Sequence, residues 1–90
     1  MITKDFILAL NGKPIKESGE ELRVNETIAA ILFNGRSKDS LRSIEIAMRL
    51  YKGENFELSD SEQSFITERL KEAQGVPDGI IAQLLLAVKD

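Results

Sequence analysis

The segment over residues 80–88 constrains the fold of this chain more than any other part of its sequence. It is apolar throughout except for Gln83. A helix with one apolar stripe lies on a surface, whereas a helix that is apolar all round is buried on nearly every side. The segment is too short to cross a bilayer, which takes about 20 residues. We therefore predict that it is either the central helix of a small core or a patch that another chain covers.

The composition excludes several classes of chemistry. The 90 residues include no cysteine and no histidine, which rules out disulfides, cysteine-based zinc sites and a Ser-His-Asp triad. No spacing of carboxylates, or of serine and lysine, indicates a catalytic site, and no glycine-rich loop could hold a phosphate. We expect a protein that is not an enzyme and that has no cofactor, no metal site and no small-molecule ligand.

The net charge and the N-terminal residues indicate what the protein binds and where in the cell it is located. The formal net charge is −3, which disfavours attraction to nucleic acid or to an anionic membrane. The N-terminus has no apolar stretch of the length that a signal peptide requires. We therefore expect a soluble, cytoplasmic protein that does not bind membranes.

Turn and capping residues divide the chain into a hairpin and four helices. Asn11 and Gly12 form a strong two-residue hairpin signal between two short extended runs. Asn25 is the predicted N-cap of the first helix, Ser59 and Glu62 form a predicted capping box at the start of the third, and Asp78 can cap the fourth. A glycine follows each of the first three helices. The predicted helices cover residues 25–34, 39–52 and 59–74 and a final segment that starts at Asp78.

The predicted fold class is therefore mainly α, or α+β. It is an N-terminal β-hairpin followed by a compact four-helix domain. A short third strand over residues 54–58, pairing with the hairpin, is an optional addition. We predict a single domain over residues 1–90, with the hairpin and turn in residues 1–24 and the helical part in residues 25–90.

Helix two is predicted to lie at the centre of this domain, beside the final helix. At 100° per residue it has one broad apolar face and a smaller one, formed by Ile46 and Leu50, roughly opposite. We expect both apolar faces to be buried, so that the helix shows solvent only a narrow basic stripe. The predicted core residues of the domain are Leu41, Ile44, Met48, Phe65, Ile66, Leu70, Ile81, Leu84 and Leu85.

The remaining positions of helix two form a basic stripe of Lys38, Arg42, Arg49 and Lys52 around Glu45. It is either a solvated face, with Glu45 and Arg49 as an i,i+4 pair, or a contact site for phosphates or an acidic partner. A segment resembling a helix-turn-helix motif follows over residues 70–83. Its second helix carries no cation to meet a phosphate, which disfavours nucleic-acid binding there.

Two further features are candidate partner contacts. We expect the stem of Arg69 to pack on the core and its guanidinium to reach solvent; the alternative is an anchor for a carboxylate of a partner chain. On the final helix, Ala82 and Leu86 lie on the face left over from core packing. Either they form a two-fold or partner-helix contact, or the hairpin covers them through Phe6 and Leu8.

The order of these elements resembles a family of small phage- and prophage-encoded proteins with no assigned activity. The resemblance covers nearly the whole chain, although the segment over residues 76–78 is only loosely similar. The matching positions are residues 11–15, Leu41, Arg42, Ile46, Ala47, Leu50, Tyr51, residues 57–59, Ile66 and residues 83–85.

The resemblance implies an origin in a phage or integrated prophage, a role in particle assembly and a location in the bacterial cytoplasm or the virion. We therefore predict a non-enzymatic protein-interaction or assembly module of phage or prophage origin, with self-association as one option for the partner. The alternative is a small nucleic-acid-associated regulator that uses the basic stripe.

Overall fold

A computed structural model describes residues 5–53 and 58–89 of the chain, and it confirms the predicted class of an N-terminal hairpin followed by four helices. None of the described helices is both long enough and apolar enough to cross a membrane. Of the optional third strand, residues 54–57 lie outside the described part, and Leu58 is not in a strand. The elements are β1 (Lys16–Glu17), β2 (Glu20–Glu21), α1 (Val24–Asn34), α2 (Ser40–Lys52), α3 (Asp60–Glu72) and α4 (Asp78–Lys89).

The strands β1 and β2 form an antiparallel pair further along the chain than the Asn11-Gly12 turn at which the sequence predicts the hairpin. Lys16 lies opposite Glu21 and Glu17 lies opposite Glu20. Ser18 and Gly19 connect them with φ angles of 53° and 84°. Two positive φ angles are the signature of a type I′ turn, whose twist matches that of the flanking strands.

The predicted Asn-Gly turn is present, but it is longer than two residues. The Ala9 amide donates to the Lys13 carbonyl at 2.7 Å, and the Gly12 amide donates to the Ala9 carbonyl at 2.9 Å. Gly12 has a φ of 80°, whereas Asn11 has no positive φ. The loop therefore spans residues 10–12 with glycine in the left-handed region, which is a common three-residue hairpin connection.

Ile7 lies at the centre of the N-terminal segments and is fully buried. Its amide donates to the Leu22 carbonyl at 2.9 Å, and its carbonyl accepts from Ile15 at 2.8 Å. The Leu22 amide in turn donates to Ile15 at 2.9 Å. Three short extended segments are thus hydrogen-bonded to one another, and they bring Ile7 into the helical core.

Local capping signals predict the start of α3 well and that of α1 less well, while the cap of α2 is seen in the structure alone. Ser59 and Glu62 form the predicted capping box at the start of α3, and Asp39 accepts from the Arg42 amide at 3.2 Å at the start of α2. The prediction that Asn25 caps α1 is wrong. Helix α1 begins one residue earlier, and the Asn25 side chain is buried, where its Nδ2 donates to the Leu50 carbonyl at 2.8 Å.

Helix α1, rather than α2, is the central helix. It packs against α2, α3 and α4, whereas the backbone of α2 closely approaches only α1 among the described helices. The Ser43 hydroxyl donates to the Leu32 carbonyl at 2.9 Å, near the C-terminal end of α1. Asn25 meets Leu50 near the opposite end. These two bonds show that α1 and α2 run antiparallel.

Helix α2 is rotated so that its smaller apolar face is buried. Ile46, Ala47 and Leu50 lie in the core with Ser43. The prediction that Leu41, Ile44 and Met48 are core residues is therefore wrong, since all three are exposed. The physical reason is a buried hydrogen bond between α2 and α1. The buried face includes the serine that bonds to α1, and the small side chains of Ser43 and Ala47 permit close packing of the two helices.

Five of the other predicted core positions lie in or beside the core: Ile66, Leu70 and Leu84 are fully buried, while Phe65 and Leu85 are partly buried against it. The prediction for Ile81 is wrong, since this residue is only partly buried and is not packed against the core. Helix α4 packs on one side against α3 and α1, so the prediction of a central C-terminal helix is wrong. The buried apolar residues are Ile7, Val24, Ile28, Ala29, Leu32, Ile46, Ala47, Leu50, Ile66, Leu70, Leu84 and Val88.

Candidate functional site

The most distinctive surface of the described chain is an exposed apolar face formed by α1 and α2. Four of its residues follow one another on α2 at spacings of three and four, which places them on one side of the helix. We call this face the α1–α2 apolar surface. Its members and exposed fractions are Phe33 63%, Leu41 86%, Ile44 43%, Met48 52% and Tyr51 64%.

A groove of about 430 Å³ runs between the two helices on this face. Its lining includes three alanines, Ala29 and Ala30 of α1 and Ala47 of α2. Phe33, Met48 and Tyr51 supply larger apolar groups, while Glu26, Asn34 and Lys52 supply its polar lining. Such a concave, mostly apolar volume lies within the range of about 300–1,000 Å³ that is typical of binding pockets.

The basic stripe of α2 is not an open face, because its two arginines contact α3. We call this contact region the α2–α3 seam. Arg49 Nη1 lies 2.8 Å from Glu62 Oε2 and 3.8 Å from Glu45 Oε1. Arg42 donates to the Ser61 hydroxyl, and its guanidinium lies 5.2 Å from the centre of the Phe65 ring. These contacts hold both arginines against α3.

The two lysines of the stripe, Lys38 and Lys52, are exposed. Of the four cations that the sequence groups together, the structure thus places two on α3 and two in solvent. The expected i,i+4 pair of Glu45 and Arg49 is present, but the shorter contact of Arg49 is with Glu62.

Glu62 connects the capping of α3 to this seam. The Ser59 amide donates to Glu62 Oε1 at 3.0 Å, while Arg49 donates to Oε2 at 2.8 Å. Hydrogen bonds donated to a carboxylate stabilise its charged form and so lower its pKa. The bond from the Ser59 amide is the largest cause that lowers the pKa of Glu62, and burial, the next largest, opposes it. The hydrogen bond and the charge of Arg49 add to the lowering, so the pKa lies below its ordinary value.

Arg69 is an internal residue, 7% exposed, and the prediction that its guanidinium reaches solvent is wrong. Its Nη1 donates to the Arg36 carbonyl at 2.6 Å, and Nη2 lies beside Gly35 at the end of α1. A cation at a helix C-terminus is favoured by the helix dipole and by the carbonyls left without an intrahelical partner. Arg69 therefore joins α3 to the end of α1.

The outer face of α4 is only partly approached by the N-terminal segment. Gln83 donates to the Leu8 carbonyl at 2.7 Å and accepts from the Leu8 amide at 2.9 Å. Leu86 is nevertheless 66% exposed, and Ala82 is exposed as well. The N-terminal segment thus contacts α4 through Gln83, the one polar residue of the segment 80–88, and leaves Leu86 largely exposed.

A second, open groove of about 1000 Å³ lies between the hairpin, α1 and the connection from α3 to α4. Its lining mixes carboxylates such as Glu20 and Glu72 with the guanidinium groups of Arg23 and Arg36. No group of three or more acidic side chains within the described part of the chain is placed to hold a metal ion. Five carboxylates and three guanidinium groups line this groove together with apolar side chains such as Ile31 and Ile80, so charges of both signs lie among its apolar groups.

The chain matches no protein-family model, no curated protein and no solved structure in the comparisons that we made. The α1–α2 apolar surface is therefore identified from its own geometry. The wheel count of α2 does contain its signal, because it shows two separate apolar faces on one helix. The prediction that the broader of these faces is buried is wrong, since its large apolar residues are exposed.

Proposed function

We propose that this chain is a protein-interaction module that binds its partner through the α1–α2 apolar surface. One observation carries the proposal: five large apolar side chains on two adjacent helices remain exposed, although another face of α2 is buried in the core. Contiguous apolar patches of this kind mark interaction sites in soluble proteins. Binding, rather than catalysis, is the activity that such a surface supports.

The contacts of the basic stripe favour a protein partner over nucleic acid. Arg42 and Arg49 are held by α3, and the two exposed lysines, Lys38 and Lys52, belong to a chain of net charge −3. Nucleic-acid binding by a protein depends on several cations that meet successive phosphates. The role in phage or prophage assembly that the resemblance implies remains a prediction on which these contacts do not bear.

A photo-cross-linking experiment tests the proposal. A benzophenone amino acid replaces Ile44 on the surface or, as the control, Glu72 on α3, in cells that contain the partner. We expect one protein to be cross-linked from Ile44 and not from Glu72. That protein is then identified by mass spectrometry, purified and titrated against the chain.

Binding by the purified protein should be lost in Met48→Glu, because a carboxylate would be buried in an apolar contact without a partner. It should be retained in Leu86→Glu, which alters an equally exposed leucine on α4. Equal affinity for wild type and Met48→Glu would contradict the proposal. So would the absence of any product specific to Ile44.

A further inference from the structure

We infer that the partner of the α1–α2 apolar surface is a second copy of this chain, with the two α2 helices antiparallel across a two-fold axis. The inference rests on the proposed function and names its partner. Three features of the surface carry it, namely its size, the separation of its protruding and concave halves, and the spacing of its residues along α2.

The size of the surface fits a dimer contact. A large apolar side chain has an area of about 200 Å², so five of them at the observed exposures present on the order of 600 Å². That is the upper end of the patches found on monomers, about 300–600 Å². A stable interface buries about 800 Å² on each partner, and the apolar residues alone supply the larger part of that area.

The shape of the surface is complementary to itself. Leu41 is the most exposed of its residues and lies in the N-terminal half of α2. The groove lies beside the C-terminal half, where Met48 and Tyr51 form part of its lining. An antiparallel two-fold arrangement places the Leu41 of each copy at the groove of the other. Each copy then supplies both a protruding group and a cavity, as an isologous contact requires.

The spacing of the residues on α2 supports the same arrangement. Leu41, Ile44, Met48 and Tyr51 are separated by three, four and three positions, which is the a/d pattern of helices that pack along a shared seam. In the antiparallel register centred on this stripe, Leu41 lies opposite Tyr51 of the second copy. Ile44 then lies opposite Met48 of the second copy, so every apolar member of the stripe has a partner.

Sedimentation equilibrium of the full chain tests the association. We expect a dimer for wild type and a folded monomer for Met48→Glu, with the dissociation constant raised by about 100-fold or more by the buried carboxylate. Leu86→Glu should remain dimeric, since Leu86 lies on α4. Circular dichroism shows whether each variant is folded, and Leu41→Glu provides a second surface variant should Met48→Glu unfold.

Cross-linking of single-cysteine variants tests the orientation. The natural chain has no cysteine, so Glu45→Cys and Lys52→Cys each carry one unique thiol. In the antiparallel dimer the two copies of residue 45 lie next to the axis, whereas those of residue 52 are about 18 Å apart along the helices. A short bis-maleimide should therefore link Glu45→Cys and not Lys52→Cys. A parallel dimer would link both.

Several outcomes would overturn the inference. One is a monomeric wild type at about millimolar concentration, where even weak self-association is visible. Another is a dimer that Leu86→Glu disrupts and Met48→Glu does not. The third is cross-linking of Lys52→Cys. The proposed function is judged separately. A monomeric chain that is cross-linked from Ile44 to a different protein retains its function as an interaction module, whereas a monomer with no Ile44 product loses both.

Discussion

At the scale of single residues, buried polar groups determine how the helices meet. Asn25 and Ser43 each donate a hydrogen bond to a carbonyl of the neighbouring helix. A buried polar group that loses its partner costs about 1–3 kcal/mol. That penalty favours the observed orientation of α2, because rotating α2 to bury its broader apolar face would separate the Ser43 hydroxyl from the Leu32 carbonyl. The exposure of the apolar surface is thus partly a consequence of one hydroxyl.

Glu62 is a residue whose contribution depends on pH. Its pKa is lowered in the folded chain, first by the Ser59 amide and then by Arg49. A lowered folded-state pKa means that the folded chain binds the proton less tightly than the unfolded chain does. The stabilisation is therefore present above the unfolded-state pKa of about 4.3 and is lost as the pH falls through the lower folded-state value.

We predict that Glu62→Gln lowers the free energy of unfolding by about 0.5–1 kcal/mol at neutral pH, as partly exposed ion pairs do. Glutamine still completes the capping box, so the substitution isolates the charge. Urea unfolding at several pH values should show the difference from wild type shrinking toward zero below the folded-state pKa. Glu45→Gln, which alters the longer and more exposed contact of Arg49, should have a smaller effect. A pH-independent difference would contradict the prediction.

At the scale of elements, the sequence predicts what is local and misjudges what depends on neighbours. The capping box of Ser59 and Glu62 is formed within four residues, and it is observed as predicted. Helix α2 is predicted correctly as a helix, but its orientation is not, because two apolar faces compete on it. Periodicity alone cannot choose between them. The choice depends on Leu32 and Glu62, which lie on other helices.

Substitution of two glycines tests whether Arg69 joins α3 to the end of α1. A Cβ on Gly35 would lie against Arg69 Nη2 and 2.9 Å from the Ile31 carbonyl oxygen. Because the guanidinium of Arg69 is buried and bonded to Arg36, it has little room to move. We predict that Gly35→Ala lowers the free energy of unfolding by about 1–3 kcal/mol, as overpacking in a well-packed interior does.

Gly79→Ala is the matched control for that substitution. A Cβ there meets nothing within 4 Å, and the residue is in the first turn of α4. Alanine should raise the free energy of unfolding by up to about 1 kcal/mol, because it restricts the unfolded chain and favours a helix. Urea unfolding midpoints of the two variants should therefore shift in opposite directions. Equal shifts would show that Arg69 does not tie α3 to the end of α1.

At the scale of the whole molecule, apolar content does not reveal which helix is central. The sequence marks α4 as the most uniformly apolar segment and α2 as the helix with two apolar faces. The structure instead surrounds α1 with α2, α3 and α4. Helix α4 is apolar all round yet packs on one side only, so Leu86 remains exposed. The number and order of elements could be predicted from turns and caps, whereas their layering depends on contacts between distant residues.

Hydrogen exchange can distinguish a fold with α1 at its centre from one with α4 at its centre. Amides of the most enclosed helix exchange only when the whole chain unfolds, whereas peripheral helices also open locally. Ile28 and Leu32 of α1 are almost completely buried between the other helices. We therefore predict that their amides exchange most slowly in an NMR-detected experiment and report the global free energy of unfolding. Amides of α4 near Leu86 should exchange faster, since one side of that helix is exposed. If the slowest amides were in α4 and those of α1 exchanged faster, the C-terminal segment would be the central helix after all.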